Sequence, residues 1–321
     1  MNKPICAFLC GLPGSGKSTW ANANKDKLNA VIHSSDAIRD QLGDINDQSK
    51  NELVFKILHN RVKEDLLCGQ NVIVDATGLN RKKRKYFIDY VLRNVPCEKV
   101  CVLFATPIIS CRKNNRNRDR QVPDDVITRM VKSFNVPCKQ EGWDEIQIIW
   151  WDYAKDNLVF DFNKNIVNWQ RISHDSPHHE FSIGDHMIAA YEYMCTQTTD
   201  IPLILGAYMH DCGKPITKGF VDSKGEPCTI AHYYNHENVS SYMSLFYLKE
   251  FFSHGLYSAM ADGYKFTDEE ILHIALLIEL HMRPWSAWKQ SNKAKEKDRR
   301  LYGDDIIKEL ELLNDADRAA H

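Results

Sequence analysis

With 321 residues, 26% of them charged, and a net charge of −2, the chain exceeds one ordinary domain and is too balanced for whole-surface binding to nucleic acid or membrane. Its ten cysteines include no CxxC pair, and several (Cys6, Cys10, Cys97, Cys101) sit in apolar runs, which fits reduced thiols of a cytoplasmic protein better than a disulfide framework or a structural zinc site. The apolar stretch near the N-terminus is interrupted at Gly11 and Pro13, so it reads as a strand rather than a signal peptide, and no other segment approaches membrane length.

From the N-terminus to about residue 150, short runs rich in valine and isoleucine alternate with amphipathic stretches. The runs 5–10, 31–34, 72–74, 100–104 and 146–151 predict an α/β domain, a parallel sheet with helices on both faces. Between them, 50–68 carries Leu53, Ile57, Val62 and Leu66 near helical spacing, and 81–93 continues as a basic helix. Residues 152–169 show no long periodic segment and read as the crossing to a second domain, with domains at 1–165 and 166–321. Beyond the crossing, helical patterns at 183–195, 202–210, 239–252, 268–281 and 304–317 predict an all-α domain with almost no strand signal. The charged stretch 289–300 reads as mobile surface.

Residues 11–18 read Gly-Leu-Pro-Gly-Ser-Gly-Lys-Ser, a complete GxxxxGKS loop placed between the first predicted strand and a predicted helix at 19–27. Gly11, Gly14 and Gly16 let the backbone wrap a triphosphate with its N–H groups pointing inward, with Ser15 and Thr19 in the same cradle. Lys17 supplies a cation and Ser18 a Mg2+ ligand at a helix start, so the loop is a site for ATP or GTP. After the second strand, Asp36 stands at the carboxyl end of the sheet, where open α/β sheets bind ligands. There it can orient an acceptor hydroxyl and take its proton as the γ-phosphate transfers in line, with Arg39 one turn on facing the same side. The plain alternative is that Asp36 only caps a helix at 37–42.

Asp75, at the end of the third strand, can hold Mg2+ through water, and the run Arg81 to Lys85 either binds phosphates or forms a solvated helix face. Seven basic residues crowd 111–132: Arg112, Lys113, Arg116, Arg118, Arg120, Arg129 and Lys132. Arg116 and Arg120 are spaced as one helical turn and can close together over the ATP phosphates, in the place where small kinases of this layout carry a mobile lid.

The segments GLPGSGKST, SSDAIR, VDATGLNRKKR and RNRDRQVPDDVITRMVKSFNVP, with EGWDEI beyond, resemble the 5'-hydroxyl polynucleotide kinases of nucleic-acid repair across essentially the first 150 residues. The resemblance implies that Lys17 and Ser18 bind ATP and Mg2+, that Asp36 activates the 5'-hydroxyl, and that Arg39 contacts the acceptor's phosphate. It also places Arg116 and Arg120 in a lid around 110–135. Related kinases of similar layout act on nucleosides, sugars or proteins.

In the second half His186, the pair His210-Asp211, His236, His281 and the acidic residues Asp315 and Asp317 follow one another at helical positions. Imidazoles with carboxylates suit Mn2+, Ni2+, Fe2+, Co2+ or Zn2+, and an ion so held activates water against a phosphoester. The segments HHEFSIGDHM, LGAYMHDCGKP, YNHENVSS, LIELHMRP and LLNDADRAAH resemble the HD superfamily of metal-dependent phosphohydrolases over about 175–321. That resemblance implies His186, His210, Asp211 and Asp317 as core ligands, with Asp315 the rival of Asp317. It makes His236 and His281 available for a second metal and Lys214 a contact to substrate phosphate, with His178 and His179 beside the pocket or simply in a loop.

One half adds phosphate to a hydroxyl and the other removes it from an ester, which is futile on a single small molecule but useful on a broken strand. The expectation is a bifunctional enzyme that heals RNA or DNA ends, RNA above all because its cleavage leaves cyclic phosphates, with a ligase acting downstream. The alternatives are an enzyme of nucleotide metabolism or signalling, and an ATP-switched adaptor.

Overall fold

The structure, a computed structural model, describes residues 3–43, 47, 49–118, 120–176, 180–251 and 265–320. His178 and His179 lie outside the described residues. The chain divides into two compact units, Met1–Met130 with Pro137–Asp156, and Val131–Val136 with Asn157–His321.

In the first unit β1 (Ile5–Cys10), β2 (Ala30–Ser34), β3 (Asn71–Asp75), β4 (Glu98–Ala105) and β5 (Glu145–Trp150) form one parallel sheet in the order β2-β3-β1-β4-β5. Phe8 of the central β1 lies between Val74 of β3 and Cys101 of β4. The inner strands are covered on both faces, which is why their sequences run apolar without alternation. The helices are α1 (Lys17–Asn24), α2 (Ser35–Gln41), α3 (Asn51–Leu67), α4 (Arg81–Tyr86), α5 (Ile108–Arg116) and the start of α6 (Asp124–Lys132). On α3 the buried stripe is Val54, Leu58, Val62 and Leu66, each one turn from the next. Leu53, expected on that stripe, is 46% exposed.

The expected basic helix at 81–93 is α4 followed by a π-helical turn, Phe87–Val91, whose Phe87, Ile88 and Val91 are buried. Arg84, in the middle of the basic run, is neither a solvated residue nor free for phosphate. It is fully buried, donates to both Glu141 carboxylate oxygens at 2.6 and 2.7 Å, and donates to the carbonyls of Gly78 and Leu79. Glu141 also accepts from Arg81 and from the Trp143 indole. Removing one partner of such a pair strands a buried charge. Glu141→Ala is therefore expected to cost about 3–5 kcal/mol of stability by chemical denaturation, and a loss under about 1 kcal/mol would contradict this account.

The second unit is built on helices: α7 (Phe162–Trp169), α8 (Ile183–Gln197), α9 (Ile201–Met209), α10 (Lys214–Thr217), α11 (His236–Glu250), α12 (Asp268–Leu280), α13 (Asn292–Tyr302) and α14 (Asp304–Ala319). Ser182, Asp200 and Thr267 cap α8, α9 and α12 with side-chain acceptors, and Thr267 forms a capping box with Glu270. α8 packs on α9 and α14, and α12 on α9 and α11, around Met187, Met194, Leu205, Leu245, Ile274 and Leu310.

The unit is not purely helical. A two-stranded antiparallel ribbon, β6 (Gly219–Val221) and β7 (Pro227–His232), interrupts it, too short and too polar to register as strands in the sequence. The stretch 289–300, expected to be mobile, lies largely within α13. It is held by Asp298, which is buried and accepts from Arg283 at 2.8 and 3.0 Å and from the Trp288 indole at 2.8 Å. Val131–Val136 belongs to this unit: the Val136 N–H donates to Glu279, and Phe134 meets Tyr242 edge to face. Among the described residues, no helix is long and apolar enough to cross a membrane.

Two candidate active sites

In the first unit a large cavity opens at the carboxyl end of the sheet, lined by residues of the 11–18 loop, Asp36, Arg39, Asp75, Arg118 and Arg120. Gly14 (φ +78) and Gly16 (φ +96) take left-handed backbone conformations, and a Cβ on Gly14 would collide with the Cys111 carbonyl oxygen. The loop is pinned from outside, since Asn114 donates to the Gly14 carbonyl and Thr106 to the Ser15 carbonyl, both at 2.9 Å. Lys17 is buried, and its ammonium donates to the carbonyls of Gly11 at 2.9 Å and Leu12 at 2.7 Å. Burial pulls its pKa below the usual lysine range, against the pull of the Asp75 carboxylate. Ser18 Oγ donates to Asp75 Oδ2 at 2.7 Å, so a hydroxyl and a carboxylate, the hard oxygen donors that Mg2+ takes, stand together at the start of α1.

The acceptor side is built by α2. Ser34 is its N-cap, accepting from the Ala37 N–H, which leaves the Asp36 carboxylate free of the capping role and directed at two guanidinium groups. Arg39 Nη1 lies 3.0 Å and Arg120 Nη1 2.5 Å from Asp36 Oδ1, and Arg39 also donates to Asn51 at 2.6 Å. A carboxylate so held, facing the nucleotide loop across one cavity, is placed to accept a proton from a hydroxyl.

In the second unit six side chains converge from five places. His186 comes from α8, His210 and Asp211 follow α9, His236 opens α11, His281 follows α12 and Asp317 comes from α14. They form two groups sharing Asp211: His186, His210, Asp211 and Asp317, and Asp211, His236 and His281, each with ligand atoms within 4.8 Å of one another. Every histidine is buried, and in each Nδ1 lies against a backbone carbonyl: Ala320 at 3.0 Å, Ala207 at 2.7 Å, Tyr233 at 2.9 Å and Ile278 at 2.6 Å. An Nδ1 facing a carbonyl carries the proton, so in a neutral ring the Nε2 lone pair points into the site.

Those Nε2 atoms lie 3.2 Å apart for His186 and His210 and 3.3 Å apart for His236 and His281, too close for two bare lone pairs. Neither Asp211 oxygen, though buried, has a well-aligned hydrogen bond. Donors aimed at one another around a buried carboxylate fit a divalent cation, and the carbonyl behind each ring is the outer support that metal-bound histidines use. At His210 the field also favours positive charge. Burial opposes a proton on His210, yet Asp211 and Asp317 outweigh it and hold its pKa up at about 10. Burial and the neighbouring His210 and His236 keep His281 down at about 3.

Two family profiles match the chain, one described as an AAA domain over residues 7–137 and one as an HD domain over 183–320. An AAA domain precedes an HD domain here. The chain is similar to the L-seryl-tRNA(Sec) kinase of Methanococcus maripaludis, 28% identical over 142 residues, 43% of this chain and 55% of the relative. It is also similar to protein kti12 of Schizosaccharomyces pombe, 32% identical over 152 residues, 43% of this chain and 53% of the relative. The chain thus spans about half the length of the curated relatives it matches. Among solved structures, the Pnkp1/Rnl/Hen1 RNA repair complex is similar at 23% identity over 41% of this chain and 44% of that one, TM-score 0.37. A gluconokinase from Sinorhizobium meliloti is similar at 14% identity over 48% and 88%, TM-score 0.34.

In the AAA domain the structure brings Lys17, Ser18, Asp36, Arg39 and Arg120 to one cavity but leaves Arg116 out of it. α5 ends at Arg116, so Arg116 and Arg120 do not share a helix. Arg116 is exposed and pairs with Asp124 at 2.9 Å, and Arg118 lines the cavity instead. In the HD domain Asp317 Oδ1 lies 3.0 Å from His186 Nε2 and 3.4 Å from His210 Nε2, while Asp315 is exposed. Lys214 Nζ lies 2.6 Å from Asp211 Oδ2, and Gly213 between them packs so close to α11 that a Cβ there would meet the Ser240 nitrogen and the His236 carbonyl.

The sequence did not single out His174. It is buried, its Nδ1 faces the Phe181 carbonyl, and its Nε2 lies 3.3 Å from Lys214 Nζ. Burial and that ammonium hold its pKa down at about 4, so His174 can accept from Lys214 and fix it beside Asp211. A lone histidine in a loop carries no periodic signal that would have found it.

Proposed function

We propose that this protein heals nucleic-acid ends, phosphorylating a 5'-hydroxyl in the AAA domain and hydrolysing a 3' or 2',3'-cyclic phosphate in the HD domain, with ATP and Mg2+ at the first site and a divalent transition metal at the second. The observation that carries the reading is that one chain holds a nucleotide loop facing a hydroxyl-accepting carboxylate and, separately, a metal-ligand cluster built for phosphoester hydrolysis. Opposed phosphate chemistries are productive together where two different ends of one strand need repair.

In the first reaction Asp36 orients the 5'-hydroxyl and takes its proton, the hydroxyl oxygen forms a bond to the γ-phosphorus, the bond from that phosphorus to the β,γ-bridging oxygen breaks, and ADP leaves. Arg39 and Arg120, already beside Asp36, hold acceptor and transferring phosphates, and Lys17 neutralises charge developing toward the leaving group. Ser18 and Asp75, already in contact, would hold Mg2+. In the HD domain His186, His210, Asp211 and Asp317 would hold one ion, and Asp211, His236 and His281 offer ligand atoms for another. An ion there supplies Lewis-acid charge to a phosphoester and activates water for attack. Lys214, fixed by Asp211 and His174, meets a phosphate oxygen at the cavity edge.

Asp36→Asn keeps the shape of α2 and removes the base. It is expected to lower transfer by about 10²–10⁴-fold with ATP affinity within about threefold, measured by single-turnover transfer and equilibrium ATP binding. An equal loss of ATP affinity would assign Asp36 to the nucleotide rather than the acceptor.

The direct test is an RNA oligonucleotide carrying a 5'-hydroxyl and a 2',3'-cyclic phosphate, incubated with ATP and Mg2+, then with Mn2+ or Ni2+, both ends read by mass spectrometry. Gain of phosphate at the 5' end and its loss or opening at the other is the expected result. Consumption of free nucleotides with both ends untouched would overturn the reading in favour of nucleotide metabolism, and a ligase supplied with the product tests the downstream step.

A further inference from the structure

Four of the candidate metal ligands of the HD domain, Asp211, His236, His281 and Asp317, line a cavity of about 810 Å³ whose mouth is aromatic. Trp285 and Tyr234 both line it and are both well exposed, at 53% and 43%. Neither ring is explained by core packing. Each is delivered by a segment that also supplies a candidate metal ligand: Tyr234 stands two residues before His236, and Trp285 four residues after His281 on the π-helical turn Pro284–Trp288.

Both segments are held from behind. The Tyr233 hydroxyl donates to the His174 carbonyl at 2.5 Å, and Trp288, three residues after Trp285 on the same turn, is buried and anchored on Asp298. Each exposed ring is backed on one face by a cation or another π-system. Lys289 Nζ sits 4.1 Å from the Trp285 ring centroid, and His232 stacks on Tyr234 at 5.2 Å with an interplanar angle of 6°. A rigid aromatic ring, backed on one face and exposed beside a candidate metal cluster, suits a flat π-face, and Asn314, which also lines the cavity, offers the amide donor and acceptor that base edges pair with.

We propose that Trp285, with Tyr234, forms a stacking platform for the unpaired base of the nucleotide whose phosphate is hydrolysed in the HD domain. The substrate class is then a phosphoester on a single-stranded nucleic-acid end, not a sugar phosphate or another base-free ester. The inference rests on the phosphohydrolase reading of this domain and adds a specificity determinant to it.

The test compares two 5'-phosphorylated trinucleotides with a 3'-phosphate, one complete and one abasic at the 3' nucleotide, hydrolysed by the full-length protein with Mn2+. The phosphoester is the same in both. The wild type is expected to show a KM about tenfold lower for the complete substrate, the size of one stacked base. Trp285→Ala is expected to bring the two KM values within about twofold of each other at unchanged kcat, Tyr234→Ala to act in the same direction, and Trp285→Phe to restore the preference. Trp285 is half exposed, so its replacement leaves the core intact, and a thermal melt checks this.

Equal KM values in the wild type, or a preference that survives both alanine variants, would overturn the platform. If neither substrate is hydrolysed, the phosphohydrolase reading fails instead. The platform is then decided by the ratio of the two dissociation constants from fluorescence polarisation, with the same criterion: a base preference lost in Trp285→Ala supports it, and one unchanged by the substitution overturns it.

Discussion

Lys17→Ala is expected to reduce phosphoryl transfer about a thousandfold, roughly 4 kcal/mol at the transition state, while metal-dependent hydrolysis in the HD domain stays within about twofold of the wild type. The ammonium of Lys17 is buried among the carbonyls of Gly11 and Leu12, at the mouth of a loop whose glycines open the backbone N–H groups to a triphosphate. Charge on the γ-phosphate and leaving oxygen grows during transfer, so a cation fixed in a water-poor cradle is worth more in the transition state than in the ground state. The fold itself does not depend on that charge. Burial disfavours the Lys17 ammonium, so removing it relieves a desolvation cost, and the melting temperature of the variant should not fall. The readouts are label transfer to a 5'-hydroxyl, Mn2+-dependent phosphate release and a melt, all on one preparation. Loss of both activities with an unchanged melt would sink the assignment of the two chemistries to separate sites.

The residues that were legible in the sequence are those whose spacing is set by the backbone. GxxxxGKS works only as strand, loop and helix start, and β1, Gly14, Gly16 and α1 occupy those places because no other arrangement turns the amides inward. His210-Asp211 and the histidines around it were readable as a set because each sits on, at the start of or at the end of a helix with apolar neighbours, where an ionisable residue is conspicuous. Placements that depend on tertiary partners were not legible. Arg116 and Arg120 have helical spacing, yet α5 stops at Arg116, whose guanidinium turns out to Asp124 while Arg118 and Arg120 face the cavity. Arg84 is indistinguishable in sequence from its basic neighbours, and only Glu141, 57 positions away, makes it a core residue. Trp285 reads as one more hydrophobic residue until the π-helical turn brings it to the mouth of the HD cavity. The β6–β7 ribbon and α13 were missed for a related reason, since short polar elements take their order from neighbours such as Asp298 rather than from their own periodicity.

Asp211→Asn is expected to empty both metal positions, whereas Asp317→Asn and His281→Ala should each empty one. Asp211 is the residue common to the two ligand groups: its Oδ2 lies 3.3 Å from both His186 Nε2 and His210 Nε2, and its Oδ1 3.1 Å from His236 Nε2 and 3.8 Å from His281 Nε2. An amide in its place keeps the volume but removes the negative charge and turns an N–H donor toward atoms that already carry lone pairs or protons. Affinity at each position should fall by at least about 100-fold, enough to lose the ions on desalting, with metal content read by plasma mass spectrometry. Hydrolysis should disappear with the metal while 5' transfer continues.

The same substitution also bears on the fold, because burial alone would push the Asp211 carboxyl up, and His210 and Lys214 overcome this to hold it well below the usual range. Removing the charge leaves Lys214, 2.6 Å away and itself buried, without its carboxylate, at a cost of about 3–5 kcal/mol. Adding Lys214→Met to Asp211→Asn should recover much of that stability without recovering metal, because the apolar replacement removes the stranded charge but supplies no ligand. Recovery of metal in the double variant, or full metal content in Asp211→Asn alone, would mean that the histidines and Asp317 suffice and that the shared carboxylate does not bridge the two groups.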